Sequence, residues 1–299
     1  MLALVLFVVV MVAAGYVLRK IGLVQAESAK DFNHLVLYVT LPALIFMALY
    51  HAKLSWSLLY MPAIAWVVVL SGLALGYAIA RALKLDRPDM GALMLVVAFA
   101  NTTYFGYPII QAFYGTQQLT LAIFYDQLGA TLAVNTLGFL VASAMGESRV
   151  KLGQLLKRLL TFPPVWALVL GLGLHGVALP PLLTQLLEHV GDLTSPVIMF
   201  SIGLSLRFSA WRENLGLVAI ATSCRLVLLP LVALALTRVL GLPLPFEQAA
   251  VMQAAMPVMF FSLSLALLFN LRLNLVVNTI MLSTVLSFLT LPIWHALLH

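Results

Sequence analysis

The sequence predicts an all-α polytopic membrane protein of ten spans, laid out as two five-helix halves of opposite orientation, and three observations predict it. Hydrophobic residues make up 63% of the 299 and charged residues only 9%, with a mean hydropathy of +1.09, a balance that excludes an ordinary soluble domain. The apolar residues divide into about ten runs, each near the ~20 residues a membrane helix needs. The basic residues collect in alternate connections between those runs, as the positive-inside rule requires of cytoplasmic loops. The organisation expected is a first repeat over residues 1–145, a basic linker over 146–161 and a second repeat over 162–299.

In chain order the spans are expected at roughly residues 2–18, 32–50, 57–80, 90–113, 119–145, 162–178, 185–206, 214–237, 246–269 and 274–297. The first lacks the basic leader and cleavage site of a signal peptide, so it reads as a span. The odd-numbered loops hold Arg19, Lys20 and Lys30; Arg81, Lys84 and Arg87; Arg149, Lys151, Lys157 and Arg158; Arg207 and Arg212; and Arg272. The even loops hold only Lys53 and Arg238, which puts the odd loops in the cytoplasm of an inner-membrane protein and both termini outside. The formal net charge of +6 therefore marks loops that face the cytoplasm and points to no nucleic-acid partner. The long basic loop at 146–161 separates five spans from five. An odd number per half forces the second half to enter from the opposite side, the inverted repeat found in many secondary transporters.

The fourth span carries the stretch Phe-Ala-Asn-Thr-Thr-Tyr-Phe-Gly-Tyr-Pro at residues 99–108, inside a run without a charged side chain from Met90 to Tyr125. Pro108 has no N–H to give and its ring clashes with the carbonyl four residues back, at Tyr104. Gly106 loosens the chain, and Asn101, Thr102 and Thr103 bring polar atoms to membrane depth. The ninth span carries Gln253, Met256 and Pro257 near its middle, and Pro257 is expected to free the carbonyl of Gln253. Asn101 and Pro257 both lie ~16 Å into their spans, near the midplane. Two interrupted helices at matching places in two halves are the best sequence pointer to a transport site, because half-helix N-termini favour an anion and loose carbonyls a cation. A proline can also merely kink a membrane helix.

Two ionisable groups lie deep. Asp126 in the fifth span and Arg225 in the eighth reach nearly the same depth, ~12 to 16 Å from their nearer surfaces. Such groups are costly unless paired or wetted, and mark function by default. A direct pair, separate satisfaction by carbonyls and water, a proton site at Asp126 and an anion-attracting Arg225 all remain open. Asn135 in the fifth span is a further binding candidate, matched by Asn278 in the tenth, since each amide needs partners.

Other patterns carry less. Gly171, Gly173 and Gly176 match a dinucleotide-binding string without its strand or acidic residue, and read as helix packing, as do Gly72 and Gly76. The six histidines have no metal spacing, and the single cysteine, Cys224, excludes an intrachain disulfide and a cysteine metal cluster. No nucleophile and base can be assembled, so neither an enzyme nor a cofactor is expected.

The N-terminal Gly15-Tyr-Val-Leu-Arg-Lys-Ile-Gly22, Leu41-Pro42 in the second span, Asn101-Thr-x-x-x-Gly106-x-Pro108 in the fourth and Met256-Pro257 in the ninth resemble the auxin efflux carrier family in its bacterial form. The resemblance covers essentially the whole chain. It implies a fold similar to bile acid sodium symporters, with spans 1, 2, 6 and 7 as a scaffold and 3–5 with 8–10 as a moving core. Spans 4 and 9 would cross at their breaks, with Asn101 and Thr102 lining the site. It further implies an organic anion as substrate (an auxin-like acid, malate, malonate or a related carboxylate) and a homodimer through the scaffold. Proton or sodium coupling stays open, as does a non-transporting receptor. The long central loop of plant carriers is absent.

Overall fold

A computed structural model describes residues 2–25, 27–147, 153, 160–205 and 214–299. The basic linker residues Arg149, Lys151, Lys157 and Arg158, and Arg207 and Arg212 of the seventh loop, lie outside the described residues. The described residues are mostly helical, and their only β feature is one isolated bridge. In order the helices are α1 (Leu2–Lys20), α2 (Ser28–Tyr50), α3 (Trp56–Ala82), α4 (Arg87–Ala98), α5 (Gly106–Tyr114), α6 (Gln118–Met145), α7 (Pro163–Gly173), α8 (Pro181–Asp192), α9 (Thr194–Ser205), α10 (Leu215–Val239), α11 (Leu244–Ala254), α12 (Phe261–Phe269) and α13 (Leu273–Leu297). Five of them, α2, α3, α6, α10 and α13, are long and apolar enough to cross a membrane.

Local chemistry accounts for the ends. Asp86 caps α4 by accepting from the Asp89 N–H at 2.9 Å, with Pro88 in the first turn where a missing N–H costs nothing. Gly115, at φ +79°, turns the chain from α5 into α6. Asn270, at φ +54°, ends α12 in the left-handed conformation, and its amide donates to Glu147 at 2.9 Å. Beside the α4 cap, burial and neighbouring Asp86 push the Asp89 carboxyl above its ordinary range, opposed by Arg272 at 3.6 Å. The expected run over 185–206 is divided at Leu193, just ahead of Pro196, into α8 and α9.

Among the described residues four places widen to π-helical turns: Val36–Thr40 in α2, Asp126–Ala130 and Val134–Gly138 in α6, and Cys224–Leu228 in α10. Two of these precede Pro42 and Pro230, and the other two hold no proline; Asp126 and Arg225 each sit in one. π turns are frequent at functional sites, and periodicity does not reveal them.

The helices pack most closely within two groups, which meet where α5 lies against α1 and α9 and α6 against α2. α1 lies along α9, and α2 along α7 and α8; α3 lies along α4, and α10, α11 and α13 join α4–α6. Gly15 and Gly203 let α1 and α9 touch backbone to backbone, since a Cβ on either would strike the opposing carbonyl, Phe200 O or Val12 O. Gly72 and Gly76 do the same for α3 against α4, while of the other glycine string only Gly171 makes a close approach, to Phe46 and Leu49 of α2.

Candidate functional site

The site is built where two helices stop. α4 ends at Ala98 and the chain turns extended at Phe99; α11 ends at Ala254 and a non-helical link runs to Phe261. The two links pair antiparallel at Ala100 and Val258. The Asn101 N–H donates to Pro257 O at 2.8 Å, and the Met259 N–H to Phe99 O at 3.0 Å. The Val258 N–H donates to Ser283 Oγ of α13 at 3.1 Å. Backbone groups that leave a helix at depth must find partners, and here the two interruptions supply each other's.

Pro108 does not end a helix. It is the third residue of α5, in the first turn, so the interruption lies ahead of it at 99–105. Pro257 lies within the second link, but the carbonyl of Gln253 is not free, since it accepts from the Met256 N–H at 3.4 Å. The carbonyl that comes free is its neighbour, Ala254 O.

Arg225 takes that carbonyl. Fully buried on α10, it donates through Nη2 to Ala254 O, and through Nη1 to Val97 O at 3.0 Å and Ala98 O at 2.9 Å. One guanidinium therefore closes the carbonyl ends of α4 and α11 together. Nearby, Pro230 offers no N–H to Leu226 O, and Trp294 Nε1 donates there at 2.9 Å instead.

Asp126 is satisfied separately, which resolves the question of a direct pair with Arg225. Its Oδ1 accepts from Thr102 Oγ1 at 2.5 Å and Thr131 Oγ1 at 3.1 Å. Its Oδ2 accepts from Thr103 Oγ1 at 2.7 Å, Tyr107 OH at 2.7 Å and Gln127 Nε2 at 2.9 Å. A carboxylate has about four lone-pair sites, so this one has no acceptor capacity to spare. Thr102 and Thr103 thus point at α6 and pin the link to it.

Asn101 and Gln253 each keep one buried polar atom without a partner. Asn101 Oδ1 accepts from the Tyr104 N–H at 3.1 Å, which fixes the amide orientation, and Nδ2, buried, has no partner. Gln253 Nε2 donates to Ala122 O at 3.1 Å while Oε1 has no partner, and the amide lies against Gly106, where a Cβ would strike it. Ser262 Oγ, at the start of α12, is also unpartnered. Met256 is buried in the second link. Asn135 spends its amide on Thr131 O of its own helix at 2.8 Å, so the bond it makes does not bring it to the links.

A cavity of about 920 Å³ opens between the two packing groups, lined among others by His51, Lys53, Gln111, Gln118, Glu188 and Asp192. At its wall Ser195 Oγ donates to Gln111 Oε1 at 3.0 Å, joining α9 to α5. Sequence reasoning missed Tyr107, Gln127 and Thr131 around Asp126. Tyr107 stood inside the singled-out stretch; Thr131 comes close because the turn at Asp126–Ala130 is π-helical, which periodicity does not show.

The family described as membrane transport protein matches residues 1–295 of this chain. A protein of Methanothermobacter thermautotrophicus described as an uncharacterized transporter is 34% identical over 298 residues, covering 98% of this chain and 97% of its own. Another uncharacterized transporter, from Methanocaldococcus jannaschii, is 29% identical over 299 residues, covering 97% of this chain and 96% of its own.

Proposed function

The chain belongs to the auxin efflux carrier-like family of membrane transport proteins, and from that premise we propose that it is a secondary carrier of a small organic anion, a mono- or dicarboxylate such as malate or malonate. In this reading the protein crosses the inner membrane ten times as two inverted five-helix halves, with both termini outside. α4–α5 and α11–α12 are its fourth and ninth spans, broken and crossing. The group around α1, α2 and α7–α9 is the scaffold, and α3–α6 with α10–α13 the core that moves as an elevator. The closer packing within each group than between them, with a cavity between α2 and α8 on one side and α5 and α6 on the other, favours this division.

One observation carries the substrate assignment: the Asn101 amide holds a buried N–H donor without a partner where the two links meet. A donor buried unsatisfied costs about 1–3 kcal/mol, and an arriving carboxylate relieves that cost. The starts of α5 and α12 add the positive ends of two helix dipoles. Asp126, its lone pairs occupied by five donors, serves in this reading as the staple that holds the Asn101 link in shape. That leaves it a poor sodium ligand and weakens the reading as a bile acid-type sodium symporter. Export of a dianion from a negative interior needs no coupled ion, since each charge gains about 2.3 kcal/mol per 100 mV.

The test is counterflow. Proteoliposomes preloaded with unlabelled carboxylates are offered labelled malate or malonate without sodium or a pH gradient. Exchange by at least one acid is expected. Silence across the panel, with and without sodium, would remove the carboxylate assignment.

A further inference from the structure

We propose that Arg225 is a fixed counter-charge built into the crossing, which acts on the bound anion through the helix ends it caps rather than by touching it. The proposal rests on the carrier reading above and gives Arg225 a positioning role. Its three hydrogen bonds all go to carbonyls, at Val97, Ala98 and Ala254, in the last turns of α4 and α11, while Nε, also buried, has no partner. A helix C-terminus carries about −0.5 elementary charge, so two of them match one guanidinium. With the negative ends cancelled, the crossing presents the positive starts of α5 and α12 and the unpartnered Asn101 Nδ2.

The capping also explains how a buried charge stands without an acid. An unpaired buried cation is heavily penalised, and no carboxylate is among the partners of Arg225; the carbonyls freed by the two interruptions supply the compensation. The π turn at Cys224–Leu228 widens α10 where the guanidinium leaves it, and Trp294 Nε1 takes up the carbonyl that Pro230 leaves unserved. A crossing with uncapped carbonyl ends would need a mobile cation to fill them. This one carries its cation covalently, so its anion affinity is independent of sodium.

Labelled malonate counterflow on Arg225→Lys and Arg225→Gln, run in sodium and in choline, tests this. Wild type is expected to show the same half-saturation in both salts. Arg225→Gln is expected to raise it at least tenfold, and Arg225→Lys to restore most of that loss at neutral pH. Because a buried lysine deprotonates where arginine does not, half-saturation in Arg225→Lys should climb between pH 7 and 10 while wild type stays flat. A pH-flat Arg225→Lys, or an Arg225→Gln with wild-type affinity, would overturn the proposal, and the lysine profile stands alone if the glutamine variant does not fold. Should wild type exchange no carboxylate, the carrier reading fails by itself. Hydrogen exchange then decides the capping: Arg225→Gln should loosen residues 97–106 and 254–262 together and Arg225→Lys should not, and unchanged exchange in both segments would sink it.

Discussion

Five donors converge on the Asp126 carboxylate, and their number sets what each substitution does. Tyr107→Phe removes one of five and leaves the rest in place, so a loss of about 1–2 kcal/mol is expected. Asp126→Ala strips all five of their acceptor, and at ~1 kcal/mol or more per stranded donor the loss should exceed ~4 kcal/mol. Thermal unfolding of the purified variants reads the contrast, and equal shifts would show that the cage stands or falls as one unit rather than donor by donor. Asn101→Ala behaves differently, because Nδ2 has no partner to lose and the one bond lost is that from the Tyr104 N–H to Oδ1. It should fold and insert normally yet fail in counterflow, and normal flux would end the assignment of Asn101. At this scale the sequence was only partly legible. Asn101, Gln253, Asp126 and Arg225 stood out because polar groups at membrane depth are conspicuous. Their partners did not, since the Arg225 partners are backbone carbonyls, which any residue carries, and Thr102 and Thr103 looked like ligand contacts until the fold turned them to Asp126.

The two interruptions behave as one element. Gly106 opens α5 directly against the Gln253 amide of α11, so a methyl group there must push that side chain off Ala122 O. Gly106→Ala is therefore expected to cost about 1–2 kcal/mol, the value of a buried hydrogen bond lost without replacement, and to slow exchange. Gln253→Ala removes both the obstacle and the bond, so the double variant should be more stable than the sum of the singles allows. A double-mutant cycle on thermal stability should return a coupling of at least ~0.5 kcal/mol, and strict additivity would mean that the two links move independently. Element positions were readable in advance because apolar run length fixes them: 57–80 was expected and Trp56–Ala82 found, 274–297 expected and Leu273–Leu297 found. Ala98 ends α4 and Gly106 opens α5 in and beside the stretch 99–108 singled out in the sequence, but Pro108 lies inside α5, which the sequence does not show, because a proline that breaks one helix and a proline that opens another look alike in sequence. The four π turns had no sequence signal.

Two packing groups with a cavity between them invite a motion, and among the contacts that would have to yield, with α1 against α5 and Thr120 Oγ1 on Ala48 O at 3.4 Å, one suits a test. Ser195 Oγ on α9 holds Gln111 Oε1 on α5 at 3.0 Å, one group to the other. If the core slides against the scaffold as proposed, this pair separates in every cycle. A covalent link between the two positions should then stop transport without touching the crossing. Cys224 is the only cysteine and is buried, so Gln111→Cys with Ser195→Cys in the otherwise unchanged chain offers one reactive pair. Bridging it with a short bifunctional thiol reagent whose links are cleaved by dithiothreitol should abolish malonate counterflow, and reduction should restore it. The single-cysteine variants treated alike control for simple blockage of the cavity, and should keep most of their activity. Full exchange in a completely bridged sample would mean that α5 and α9 travel together, and the elevator division of the molecule would have to be redrawn with α5 on the scaffold side.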